Sequence, residues 1–318
     1  MGGRKDGKSG GLDPQHILAV HRCLHRALEQ AVTWRLRPDN PARHATPPAV
    51  PDKDTPALLP EQVDLLLDAA TQDPKPWLGA WTVLAAATGA RNGELCGLEW
   101  SDLDLDQGTI RFRQELTVVD TDLLPGDSAA AQGRRKELAV GPVKSKASKA
   151  ILSLPGFAVE ALREHRRRQA RLRLAGAQPA TVTLRWVEPG QPPRPVELDL
   201  VFRTERGSAL NPNHASRGFA TLARTVGLKA HAHMLRHALA SAMAANKEPA
   251  SIIAAQLRHA DGGALAQRVY IHQLPQTAPR VASLIEGVFG PAARDARSTS
   301  AQSQQGRDQS EAGPGGAA

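Results

Sequence analysis

The chain has 318 residues, enough for one large domain or two ordinary ones, and 41% of them are hydrophobic, so a core can form. Lys and Arg outnumber Asp and Glu by 40 to 32, which favours a polyanion such as nucleic acid as a partner, although an arginine-rich soluble protein would have the same balance. Cys23 and Cys96 form neither a disulfide framework nor a CxxC metal motif, and no apolar run approaches the roughly 20 residues of a membrane span. We therefore expect a cytoplasmic protein with no membrane partner.

The N-terminal part of the chain predicts one helix followed by a linker. We expect residues 1–11, which are polar and rich in glycine, to be disordered. Apolar residues recur at three- and four-residue steps from Ile17 to Val32 and predict a helix over residues 12–36. Residues 37–58 contain six prolines, which are incompatible with regular structure and indicate an interdomain linker.

A second region begins at Pro60, a residue that favours the first turn of a helix. The apolar run over residues 77–88 predicts a buried helix, which Gly89 ends before a new helix opens. Alternating apolar residues predict strands within residues 108–119, and a further strand is expected at residues 150–154.

Two segments of this region are predicted to lack regular structure. Residues 120–142 are rich in Gly, Ala and charge and indicate a flexible insertion, and residues 177–198 contain five prolines. Between them, residues 157–175 predict an amphipathic helix with six arginines, which suits either DNA phosphates or a solvated charged face. Val201 and Phe202 are interpreted as a short strand.

The C-terminal part of the chain predicts a series of helices and then a tail. The predicted helices cover residues 212–226, 235–246, 249–257 and 264–270, and an apolar pattern continues over residues 281–289. Residues 291–318 have no large apolar residue, so we expect disorder. Together these elements predict an α+β, mainly helical fold with a small antiparallel sheet.

Two local motifs place basic residues where they can meet an anion. Arg91 and Glu94 are three residues apart at a helix start and share a face, which is also the pattern of a simple surface ion pair. Lys144 and Lys146 precede a strand, as at the tip of a β-hairpin, where a lysine can donate to a phosphate or a leaving oxygen. A solvated turn is the alternative interpretation of that lysine run.

Two further motifs contain groups that suit phosphoryl transfer. His233 and Arg236 are one helical turn apart, so that an arginine can balance charge where a histidine moves a proton, although two surface residues would show the same spacing. Tyr270, the only tyrosine in the chain, follows His259 by eleven residues, and a phenolate can attack phosphorus. A tyrosine packed for structure is the alternative.

The order and spacing of these motifs resemble those of the tyrosine recombinase, or phage integrase, family. The resemblance extends from about Pro60 to Phe289 and rests on TGARNGELCGLEWSDLDLD, PVKSKASKAILSLP, HMLRHALAS and LRHADGGALAQRVYIH. It implies a catalytic domain at residues 59–290 that cleaves and rejoins DNA strands in site-specific recombination. The position that is usually glycine in the family's Leu-Gly-His is Arg258 here.

The resemblance also implies a role for each site residue. Arg91 and Arg236 would clamp the scissile phosphate, His233 would assist proton transfer, and His259 would donate to the phosphate. Lys144, or its competitor Lys146, would donate a proton to the 5′ oxygen, and Glu94 would be the supporting carboxylate. Tyr270 would be the nucleophile that forms a 3′-phosphotyrosyl link. No cofactor and no metal is implied, because arginine and lysine supply the positive charge.

The family also implies partners and an organisation that the chain matches only in part. The implied partners are double-stranded DNA attachment sites, a homotetramer on DNA, and accessory DNA-bending or directionality factors. The helix at residues 12–36 resembles the last helix of a core-binding domain without its earlier helices, so we expect an N-terminally truncated protein. An inactive relic that binds DNA non-specifically, and a topoisomerase IB-like enzyme, are the alternatives.

The helix at residues 281–289 packs either on a neighbouring subunit or on its own domain.

Overall fold

A computed structural model describes residues 12–50, 57–120, 136–143, 151–258, 274–295 and 297. The chain divides into two compact units, Met1–Pro56 and Ala57–Ala318. Within the described ranges, no helix is both long enough and apolar enough to cross a lipid bilayer.

The first unit is one helix with a short segment folded onto it. Helix α1, Pro14–Thr33, begins where the Asp13 side chain accepts a hydrogen bond from the backbone N–H of Gln15 at 2.8 Å, and none of its residues is buried. The proline-rich segment after it is not wholly irregular as expected, since Pro41–His44 forms a 3-10 turn. Asn40 explains this turn, because its amide oxygen caps Ala42 and its amide nitrogen donates to the carbonyl of His25 on α1.

The second unit begins with three helices: α2 (Pro60–Gln72), α3 (Leu78–Thr88) and α4 (Asn92–Cys96). The run of apolar residues that predicts α3 is confirmed as a buried helix, in which nine of the eleven residues are buried. Its end is also confirmed, because Gly89 adopts a left-handed conformation with φ 59°. Helix α3 therefore lies at the centre of the unit and fixes where α4 starts.

The β structure forms two small sheets. Strands β1 (Leu103–Asp104), β2 (Thr109–Arg111) and β5 (Ile151–Ser153) form an antiparallel sheet in the order β1-β2-β5. Strands β3 (Gln114–Asp120), β4 (Lys136–Pro142), β6 (Val182–Trp186) and β7 (Arg194–Leu198) form the second, in the order β3-β4-β6-β7. Gln114 lies opposite Pro142 in the β3–β4 pair, and only the β4–β6 pairing is parallel among the described strands.

Three expectations about irregular segments and strands are wrong. Residues 136–142 of the predicted insertion form β4, and residues 177–198 contain the β6–β7 hairpin. Pro195 is compatible with β7 because that strand is at the edge of its sheet and is paired on one side only, which is where proline is tolerated in strands. Val201 and Phe202 are buried but form no strand; the Val201 N–H donates to the carbonyl of Leu98 instead.

Five helices complete the unit: α5 (Gly156–Leu174), α6 (Pro212–Thr225), α7 (Ala232–Ala245), α8 (Ala250–Leu257) and α9 (Leu274–Phe289). They confirm the predicted helices, with α7 beginning three residues earlier than expected. The predicted helix at residues 264–270 lies outside the described residues. The α+β, mainly helical class is confirmed.

Helix α9 and the residues after it pack against the same unit. Val281, Ile285 and Phe289 are buried in its core, which favours packing of this helix on its own domain over packing on a neighbouring subunit. The tail is not disordered from residue 291 as expected, because residues 291–295 are helical. Two ion pairs attach them to α2, Arg294 with Asp68 at 2.6 Å and Arg297 with Asp64 at 2.8 Å. Ion pairs with α2 therefore hold these residues in place, although they have no large apolar side chain to pack against the core.

Candidate active site

The turn between α3 and α4 places Arg91 at the N-cap of α4. Gly89 makes this turn with a positive φ, and a Cβ atom built on it would lie 2.6 Å from Cδ2 of Leu257 and 3.2 Å from Cδ2 of Leu239. The chain therefore passes α7 and α8 at a distance that only glycine allows. Arg91 follows two residues later, with about a third of its side chain exposed.

Glu94 is the buried carboxylate of the site. Nη1 of Arg91 donates to its Oε1 at 2.9 Å, and the backbone N–H of Arg91 donates to its Oε2 at 2.9 Å. Burial alone would raise the pKa of Glu94, but Arg258 and Arg91 hold it below its ordinary value. Glu94 is thus an anion at neutral pH, and the predicted Arg91–Glu94 contact is present, although Glu94 is buried rather than on the surface.

Arg236 is buried on α7, where it is held by backbone carbonyls. Nη1 donates to the carbonyl of Gly89 and Nη2 to the carbonyl of Leu257, at the ends of α3 and α8. Burial lowers the pKa of Arg236 to about 10, with a further contribution from the positive charges of Arg91 and Arg258. Arg236 stays protonated at neutral pH, and no carboxylate forms an ion pair with it within the described ranges.

His233 lies one helical turn before Arg236 on α7 and is exposed. Partial burial of the ring, followed by the charges of His237 and Arg236, lowers its pKa below the ordinary value. The ring is close to that of His237, with the centroids 4.7 Å apart and the planes perpendicular. Its imidazole is therefore mostly neutral at pH 7 and can accept a proton.

Arg258 joins this cluster, although sequence reasoning did not predict it as a site residue. It ends α8 with φ 54°, is 1% exposed, and donates from Nη2 to Oε2 of Glu94 at 2.9 Å. Its guanidinium carbon lies 4.4 Å from the centre of the Phe112 ring, a cation–π contact. The available signal was an arginine directly before the predicted His259, at the position where the family usually has glycine.

The structure thus brings four of the predicted residues together and adds one. Arg91, Glu94, His233 and Arg236 lie in one cluster, with Arg258 as the addition. The other predicted site residues fall outside the described residues: Lys144, Lys146, His259 and Tyr270. Among the side chains that the structure describes, no group of three or more His, Cys, Asp or Glu is arranged to hold a metal ion.

The arginines of α5 are largely engaged within the chain. Arg163 pairs with Glu160 at 2.8 Å, and Arg167 pairs with Glu164 at the same distance. Arg166 lies over the Trp100 ring at 5.3 Å. These exposed contacts are individually weak, and they favour the interpretation of α5 as a solvated charged helix.

Solved structures share this fold. The Tn1549 transposon integrase in complex with a circular intermediate DNA matches with a TM-score of 0.57 and 15% sequence identity, over 83% of this chain and 80% of that chain. The same integrase with transposon right end DNA matches with a TM-score of 0.57 and 16% identity, over 83% and 81%. The fold is that of a tyrosine recombinase catalytic domain.

The sequence matches the phage integrase family over residues 56–277, and the chain belongs to that family. It is 25% identical over 217 residues to a "Tyrosine recombinase XerC-like" protein of Caldanaerobacter subterraneus subsp. tengcongensis, covering 67% of this chain and 50% of that protein. It is 27% identical over 292 residues to an integrase of Streptomyces ambofaciens, covering 90% and 67%. The chain therefore spans between half and two thirds of the length of these relatives.

Proposed function

We propose that this protein cleaves and rejoins DNA strands in site-specific recombination, through a 3′-phosphotyrosyl intermediate on Tyr270. The observation that carries the proposal is the cluster of three guanidinium groups, two of which bind the buried carboxylate of Glu94 while that of Arg236 is held by backbone carbonyls. An excess of fixed positive charge on buried or half-buried groups suits an anion of the size of one phosphodiester. Membership of the phage integrase family supports the choice of DNA as that anion.

In the proposed first step, the Tyr270 phenolate attacks phosphorus, and the bond from phosphorus to the 5′ oxygen breaks. The departing 5′ oxygen takes a proton from Lys144, or from its competitor Lys146. Arg91 and Arg236 balance the charge on the non-bridging oxygens, His259 donates to the phosphate, and His233 assists proton transfer. Attack by another 5′ hydroxyl reverses these bond changes and releases Tyr270, so no ATP and no cofactor is required.

The proposed partners follow from the relatives. The Tn1549 transposon integrase of similar fold was solved bound to DNA, and we extend that class of partner to this chain. Recombination between two duplexes further implies a homotetramer on double-stranded attachment sites, with accessory DNA-bending or directionality factors.

A suicide substrate tests the proposal. The full chain is incubated with duplex DNA that carries a nick near the crossover point, taken from the junctions of the element that encodes the protein. Cleavage lets the short fragment diffuse away and traps the covalent adduct, which migrates slowly in a denaturing gel. The adduct is expected with the wild-type chain and is expected to be absent with Tyr270→Phe, which lacks only the phenolic oxygen.

The same experiment separates the alternatives. No adduct with the wild-type chain, together with salt-sensitive binding to any duplex, would identify the inactive relic. An adduct with Tyr270→Phe would exclude Tyr270 as the nucleophile. Relaxation of supercoiled plasmid without partner sites would favour a topoisomerase IB-like enzyme over a recombinase.

A further inference from the structure

The backbone conformation and the burial at position 258 are both unfavourable for an arginine unless its charge stabilises the site. Its backbone is left-handed, with φ 54° and ψ 45°, a conformation that side chains with a Cβ rarely adopt. The residue is 1% exposed, and its Nε is buried without an acceptor in the described part of the chain. Such a buried cation requires compensation, which Phe112 and Glu94 supply.

Glu94 accepts hydrogen bonds from the side chains of two arginines, one on each carboxylate oxygen, and its Oε2 also accepts from the backbone N–H of Arg91. Arg258 donates to Oε2 at 2.9 Å, and the Arg91 side chain reaches only Oε1, through Nη1, at 2.9 Å. No other described residue accepts a hydrogen bond from the Arg91 guanidinium. If Arg91 were the only cationic partner of this carboxylate, two N–H groups of its guanidinium could donate to the two carboxylate oxygens in the usual bidentate geometry. Together with the backbone N–H of Arg91, Arg258 occupies Oε2 of Glu94, so the Arg91 guanidinium makes one hydrogen bond to this carboxylate rather than two.

Arg258 also changes the charge of the cluster. Arg91, Arg236 and Arg258 with Glu94 carry a net charge of +2. These groups influence one another electrostatically, since the charges of Arg91 and Arg258 both contribute to the lowered pKa of Arg236. Without Arg258 these groups would carry a net charge of +1, with Glu94 opposing the two arginines that are proposed to bind phosphate.

We propose that Arg258 is a positioning residue of the phosphate site, which holds Glu94 so that Arg91 keeps free donors and full charge for a phosphodiester oxygen. This inference rests on the proposed function. It assigns no contact between Arg258 and DNA, because the side chain is enclosed by Phe112 and Glu94. Its effect on the substrate passes through Arg91, and it depends on the negative charge of the substrate.

The test compares two suicide substrates, one with the natural phosphodiester and one with a neutral methylphosphonate at the scissile position. Arg258→Met keeps an unbranched side chain against Phe112 and removes the charge. We expect it to slow adduct formation on the phosphodiester by about 10- to 100-fold, the range for loss of one charge-assisted interaction. On the methylphosphonate, which has one anionic oxygen fewer, the factor is expected to be clearly smaller.

Arg203 provides a matched control for loss of a buried arginine. It is 2% exposed, pairs with Asp199 at 2.9 Å, and donates to the carbonyl of Pro179 at 2.7 Å, with no contact to Glu94. Arg203→Met is expected to change the rates on both substrates by the same factor. Arg258→Lys, which keeps one charged donor, is expected to recover most of the preference for the phosphodiester.

A second arm uses Glu94→Gln, which removes the opposing charge. The preference for the phosphodiester over the methylphosphonate is then expected to stay at or above the wild-type value, even where this variant is less stable. Equal losses on both substrates with Arg258→Met, or a lower preference with Glu94→Gln, would overturn the positioning role while the adduct of the wild-type chain still supports the proposed function. Absence of any wild-type adduct would overturn both.

Discussion

Replacing Gly89 by alanine tests whether the turn that carries Arg91 and Arg236 depends on the absence of a side chain. Alanine at φ 59° costs about 1–2 kcal/mol from the left-handed backbone alone. Its Cβ would lie 2.6 Å from Cδ2 of Leu257 and 3.2 Å from Cδ2 of Leu239, and such overpacking costs roughly another 1–3 kcal/mol. We expect Gly89→Ala to lower the free energy of unfolding by about 2–5 kcal/mol.

Gly227 offers the matched control, because it has φ 76° and no heavy atom within 4 Å of an added Cβ. Gly227→Ala is expected to lower the free energy of unfolding by only the cost of the left-handed backbone, about 1–2 kcal/mol. The effect of alanine on the unfolded chain is the same for both and cancels in the difference. Urea unfolding monitored by circular dichroism measures both free energies, and the denaturant slope shows whether the transition is unchanged.

The site gives a second measurement on the same pair of variants. The Gly89 carbonyl accepts from Arg236, so moving this turn also moves the guanidinium. Adduct formation is expected to fall with Gly89→Ala and to stay near the wild-type rate with Gly227→Ala. Equal losses of stability and of activity in the two variants would refute the steric explanation.

Three further variants test the remaining structure. Phe289→Ala, which empties a site in the core that is 2% exposed, is expected to lower the free energy of unfolding by about 3–5 kcal/mol, and a change below about 1 kcal/mol would contradict the packing of α9 on its own unit. Glu94→Gln is expected to lower the free energy of unfolding by about 3–5 kcal/mol, and less than additively with Arg258→Met, which a double-mutant cycle measures. Burial lowers the pKa of His165, so the unfolded chain takes up the proton first and stability falls as pH drops below about 6.5. Urea unfolding at pH 7.5 and 5.5 should show a smaller fall for His165→Gln, and an equal fall would exclude His165 as the cause.

The buried helix and its end were predictable because both depend on local sequence. The almost wholly apolar run of residues 77–88 predicts a helix that is buried on all sides, and Gly89 supplies the conformation that ends it. The β6–β7 hairpin was not predictable in this way. Whether Pro195 is allowed in a strand depends on which side of that strand is unpaired, and the order β3-β4-β6-β7 decides this.

The candidate site shows the same division between local and distant information. Arg91 with Glu94 and His233 with Arg236 are each within one helical turn, so their spacing places them on one face. Arg258 meets a carboxylate 164 residues away, and nothing around it in the sequence indicates that it is buried. The roles of Lys144, Lys146, His259 and Tyr270 stay predictions from the family resemblance.

The two carbonyls that hold Arg236 make its orientation insensitive to most chemical changes. Backbone oxygens do not titrate, so acidification leaves both acceptors in place, whereas a carboxylate partner would be lost on protonation. No substitution of a partner side chain can delete them either. Only a change in the path of the chain at Gly89 or Leu257 redirects this guanidinium, and a side chain aimed in this way keeps its whole charge available to a bound anion.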